Sequence, residues 1–92
     1  MHSTNLAPMV RLYMITFVYK HFTYYANVVE NIQVGPAYYV SILTTRTDIP
    51  RKLIFVQKPG GLELSTYSLP ANNELVNAIA ARIEERRKTQ VA

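Results

Sequence analysis

Apolar residues recur at every second position from Tyr24 onward, at Tyr24, Ala26, Val28, Ile32 and Val34, with Tyr25, Asn27, Asn31 and Gln33 between them. Successive side chains of a strand point to opposite faces, so this alternation predicts a strand with one dry and one wet face. Val29 and Glu30 interrupt the pattern, which predicts a bulge or a residue at the sheet margin. The preceding run, residues 10–20, is apolar on both faces. One face carries Tyr13, Ile15, Phe17 and Tyr19, the other Leu12, Met14 and Val18. Its β-branched and aromatic content favours strand over helix. A strand apolar on both sides is expected at the centre of a sheet, or beneath a helix or a partner chain. Lys20-His21 is then the turn between the two strands.

Gly35-Pro36 closes the second strand, residues 37–47 predict a third, and Asp48-Ile49-Pro50 turns the chain. Residues 51–58 predict a fourth strand. "KPGG" follows, with Pro59 and Gly60 in the order of a type II turn, whose third position needs a positive φ. Residues 62–69 predict a fifth strand, with Leu62 and Leu64 on one face. The short connections imply antiparallel neighbours in a meander.

From Pro70 the period changes. Leu75, Val76, Ile79, Ala80 and Ile83 form one stripe at helical spacing. Asn72 or Asn73 is placed to cap the first turn, and Glu74 suits the positive end of the helix dipole. Arg86, Arg87 and Lys88 suit the negative end, and Glu84–Lys88 is an i,i+4 pair worth ~0.2–0.5 kcal/mol. The basic cluster at Arg82, Arg86, Arg87 and Lys88 thus has a structural reason to exist without a ligand. The expected fold is α+β: an antiparallel meander of about five strands, then one amphipathic helix packed on one sheet face.

Length and composition narrow this further. Ninety-two residues make one small domain, read here as an arm at residues 1–8 and a body at 9–92. Such a chain buries only ~60–65% of its unfolded surface. Forty-nine per cent apolar residues and seven tyrosines argue against disorder. There is no cysteine, which excludes disulfides and thiolate metal sites and makes a cytoplasmic location the expectation. No secretory leader is apparent, because the first ten residues contain no Lys or Arg. The uncharged run between Arg11 and Lys20 is far shorter than the ~20 residues of a membrane-crossing helix, so no membrane span is expected.

Catalytic chemistry finds little to work with. There are two histidines, one aspartate and five glutamates. His2 lies in the arm, and His21 has no carboxylate near it in sequence to fix its tautomer. The hydroxyls of Ser41, Thr44, Thr45, Ser65, Thr66 and Ser68 fall within predicted strands, and nothing resembles a nucleophile elbow. No zinc-ligand spacing occurs. "KPGGLE" opens no helix, so it reads as a hairpin turn and not a phosphate loop. A non-enzyme without metal or cofactor is the expectation.

Surface recognition remains. Strands followed by a helix are similar in outline to the Whirly type of single-strand-binding fold and, with fewer strands, to the pleckstrin-homology-like architecture. No residue motif ties the chain to either, and no family is claimed. The doubly apolar runs "LYMITFVY" and "LIFV" exceed what one helix can cover. The expected role is therefore a non-catalytic interaction module that self-associates, or docks another protein, through sheet surface, as an accessory part of a larger assembly. Tyr19, Phe22 and Tyr25 are the candidate partner contacts. The alternative is a single-stranded nucleic-acid binder using an aromatic and basic face. The net charge of +4 favours anionic partners, and Lys20, His21, Arg46, Arg51, Lys52 and Lys58 are its candidates.

Overall fold

The computed structural model describes residues 10–31 and 36–91. Five strands pair in chain order: β1 (Val10–Tyr19), β2 (Phe22–Asn31), β3 (Ala37–Leu43), β4 (Lys52–Lys58) and β5 (Gly61–Leu64). Every neighbouring pair is antiparallel, as short connections require. The helix α1 (Asn73–Val91) follows. The expected arm at residues 1–8, and the Ile32 and Val34 extension of β2, lie outside the described residues.

Alternation sorts the side chains onto two faces. The dry face gathers Ile15, Phe17, Tyr19, Tyr24, Ala26, Val28, Tyr38, Val40, Ile42, Leu53 and Phe55, all buried. Leu75, Ile79 and Ile83, four residues apart on α1, close over it, each burial contributing ~1.5–3 kcal/mol. The expected Val76 and Ala80 pack only partly against this core. Phe17 and Tyr24, directly opposite in the β1–β2 ladder, stack with ring centroids 5.7 Å apart. The helix contacts both edge strands, β1 and β5, so the sheet wraps around it.

Local chemistry explains the boundaries. Asn72 Oδ1 accepts from the Glu74 amide at 2.7 Å, which makes Asn72 the N-cap of α1. β3 stops at Leu43 instead of Thr47. Thr44 Oγ1 accepts from the Arg46 amide at 3.1 Å, and Arg46 then clamps Asp48, so the chain turns early and carries Ile49 back into the core. β5 ends at Leu64, short of the expected Leu69. There Ser68 Oγ accepts from the Ile54 amide and the Ser65 amide donates to the Ile54 carbonyl, so a turn takes over the pairing of β4.

Four expectations are corrected. The β1–β2 and β2–β3 registers run unbroken through Val29 and Glu30, so there is no bulge. Glu30 instead continues the dry face and is buried. β1 is an edge strand and not a central one, and it lies beneath the helix, the other place expected for a strand apolar on both sides. The positive φ in "KPGG" belongs to Gly61 (132°) and not Gly60, which excludes a type II turn. Glu84 turns inward, its Oε2 accepting from the Leu62 amide at 3.2 Å, and forms no ion pair with Lys88 among the described residues.

The β1–β2 hairpin turns through Lys20 (φ 50°) and His21 (φ 72°), both left-handed, as a two-residue type I′ turn demands. Neither residue is one that adopts this conformation cheaply, at ~1–2 kcal/mol each. His21→Gly is therefore expected to raise the free energy of unfolding by about 1 kcal/mol in urea titrations, although glycine usually destabilises.

Candidate functional site

Opposite the helix, the sheet presents a face that the described residues leave uncovered. Register places Leu12, Val29, Tyr39 and Ile54 side by side across β1 to β4, an apolar row four strands wide. The next row is Met14, Asn27, Ser41 and Lys52, and beyond it lie Thr16, Tyr25 and Leu43. Leu12 is 75% exposed and Val18 58%, and Met14, Tyr25, Tyr39 and Leu43 are also exposed. On β1, β2 and β3 this face carries no charged residue. Lys52, Lys58 and Glu63 enter only on β4 and β5.

The three aromatic candidates do not form one patch. Tyr19 is buried on the dry face, beneath the Lys20 ammonium 5.3 Å from its ring. Phe22, opposite Tyr19 in the ladder, is exposed on that same side beyond the end of the core. Tyr25 is exposed on the bare face. Tyr19 is thus core, and Leu12, Val29, Tyr39 and Ile54 are the residues that single-strand reading did not single out. Their signal lay in the second apolar face of β1, but their alignment appears only with register.

The basic candidates gather at one end of the sheet, except for Lys58. Phe22, Ser41, Thr45, Arg46, Arg51 and Lys52 line an open groove of about 830 Å³ at the end of the sheet. Lys20 lies at the same end, close enough to Asp48 to act on its charge. His21 is exposed in the adjoining turn. Lys58 closes β4 at its far end, ~20 Å away at strand rise, and belongs to no such group.

Arg46 organises the groove. Its Nε and Nη2 reach Asp48 Oδ1 and Oδ2 at 3.0 and 2.9 Å, a bidentate pair. Its Nη1 donates to the Tyr24 hydroxyl at 3.3 Å, and its guanidinium lies 5.7 Å from the Phe22 ring centroid. The hydrogen bonds from Arg46 hold the Asp48 carboxyl below the usual range. Arg51 and Lys52 enter no ion pair or side-chain hydrogen bond among the described residues.

The helix cations are engaged structurally. Arg82 pairs with Glu85 at 2.8 Å, Arg86 lies 4.8 Å from the Tyr13 ring centroid, and Arg87 donates to Gln57 Oε1 at 2.6 Å. Beneath that end of α1, Glu30 (3% exposed) sits between Arg11 on β1 and Tyr38 on β3. Glu30 Oε1 and the Tyr38 hydroxyl have no hydrogen-bond partner among the described residues. No group of three or more His, Asp or Glu residues there suits a metal ion, and no described helix is long and apolar enough to cross a membrane. No family model matches the chain, and neither a curated protein nor a solved structure does.

Burial first, then the Glu30 charge, raises the Tyr13 phenol well above its usual range, and burial likewise raises Tyr38. A phenol raised in the folded state keeps its proton while the unfolded chain loses it. The stability this provides is whole below pH ~10 and is lost as pH climbs from there toward the raised folded values. Urea unfolding at a series of pH values above ~10 should show stability falling steeply in the parent and less steeply in Tyr13→Phe/Tyr38→Phe. Equal slopes would remove the assignment.

Proposed function

We propose that this chain is a non-catalytic interaction module that self-associates by packing its bare sheet face against that of a second copy. The observation that carries this reading is the uncharged face of β1 to β3 with its apolar row, in which Leu12 and Tyr39 are exposed and Val29 and the adjoining Ile54 half-buried. Contiguous apolar surface of this kind on a small protein marks an interaction site.

Size supports the reading. At ~4.8 Å between strands and ~3.3 Å per residue, the bare face of β1 to β4 has a flat footprint on the order of 500 Å². Side-chain relief brings the accessible area toward the ~800 Å² per partner of stable interfaces. Chemistry favours a second copy over a charged partner. A face without charge on three strands offers nothing for an ionic partner to match. Its central row holds Asn27 and Ser41, whose groups both donate and accept and so suit their own copies across a two-fold axis. Two such faces pack as a sandwich.

Each copy carries a net charge of +4, so salt is expected to leave the association unchanged or strengthen it. Sedimentation velocity at micromolar concentration should show a dimer or larger species. Leu12→Lys/Tyr39→Lys should be monomeric, with the circular dichroism spectrum of the parent. Tyr25→Lys, on the same face, should weaken association as well. A parent that stays monomeric at ~100 μM, or folded variants as associated as the parent, would overturn the reading.

A further inference from the structure

The groove at the end of the sheet shares Ser41, Leu43 and Lys52 with the border of the bare face, but its chemistry points to a different partner. Two of its three cations, Arg51 and Lys52, stand beside the hydroxyls of Ser41 and Thr45 and the exposed ring of Phe22. The nearby carboxylate, Asp48, is engaged through both oxygens by Arg46. Arg46 in turn is fixed by the Tyr24 hydroxyl, so its plane is held close to the Phe22 ring instead of being free to seek an anion. The groove therefore combines uncommitted positive charge with an exposed aromatic ring backed by a cation. The helix cations Arg82, Arg86 and Arg87 already have partners in the fold, so they do not offer an equivalent site.

We infer that this groove binds single-stranded nucleic acid, with Arg51 and Lys52 contacting backbone phosphates and the Phe22–Arg46 pair stacking an unpaired base. Phosphates are recognised by uncommitted cations and hydroxyl donors, and bases by aromatic and guanidinium planes. A groove of about 830 Å³ admits a unit of nucleotide size, and its open form lets a strand pass through. Lys20 at the same end, its ammonium 5.3 Å from the Tyr19 ring centroid, extends the positive rim. An acidic peptide would satisfy the cations but would leave the stacking surface unused. A duplex would offer phosphates but no unpaired base.

Fluorescence anisotropy with a short fluorescein-labelled oligothymidylate tests this. Binding is expected at low salt, with log K falling linearly against log salt. Arg51→Ala/Lys52→Ala is expected to reduce that slope by ~1.4, at ~0.7 per phosphate on a single strand. Phe22→Ala should weaken binding about tenfold or more and leave the slope unchanged. The matching duplex and a polyglutamate peptide should compete poorly. Circular dichroism establishes that both variants are folded. Absence of binding at low salt would overturn the inference. So would a slope that Arg51→Ala/Lys52→Ala does not change, or a polyglutamate peptide that competes as well as the oligonucleotide. Because this binding weakens with salt while self-association does not, either reading can fail without the other.

Discussion

A sheet has two faces, and one amphipathic helix has a single apolar stripe. This chain makes five strands and one long helix, so the helix can dry only one face. Leu75, Ile79 and Ile83 spend the whole of that stripe on the side of Phe17, Tyr38 and Phe55. What lies on the other side depends on strand composition alone. In β4 and β5 that side is tempered by Lys52, Lys58 and Glu63, but in β1 it is Leu12, Met14 and Val18, with Thr16 the only polar residue among them. The association reading is a consequence of this imbalance.

Register converts the imbalance into a surface. Shifting β2 by one residue against β1 would bring Asn27 and Thr23 onto the dry face and Tyr24 and Val28 out of it, so burial fixes the pairing firmly. With the pairing fixed, Leu12, Val29, Tyr39 and Ile54 fall into one line whether or not anything binds them. The same constraint brings Glu30 under the helix, between Arg11 and Tyr38, where a carboxylate is costly. Its ladder neighbour on β1 is Arg11, and at that end of α1 Arg86 lies over the Tyr13 ring while the Arg87 charge acts on Tyr38, which gives the helix cations work inside the fold.

Much of the fold was legible in the sequence because its signals were local. Period two in β1 and β2, period 3.6 in α1, and the Asn72 cap are read from neighbouring residues, and strand order followed from short connections. The failures share a different cause. Reading β2 through Ile32 and Val34 made Glu30 look like a defect, whereas it is the polar member of an otherwise apolar face. Tyr19 and Phe22 look equivalent in sequence, yet one is core and the other projects past it, although they face each other in the ladder. Strand ends at Leu43 and Leu64 were set by Thr44 and Ser68 hydroxyls competing for backbone groups, and residue type alone does not reveal that competition. The groove was half visible: its cations were named, but Lys58 was grouped with them, and only topology separates the two ends of β4.

If two copies meet through the uncovered face, and not through the helix or the sheet end, association should perturb that face alone. A dilution series followed by amide and methyl nuclear magnetic resonance tests it most directly. Concentration-dependent shifts are expected at Leu12, Met14, Val29, Tyr39 and Leu43, with the α1 signals of Leu75, Ile79 and Ile83 unmoved. Shifts confined to α1 or to the Lys20-His21 turn, or none across the micromolar range, would rule out association through this face.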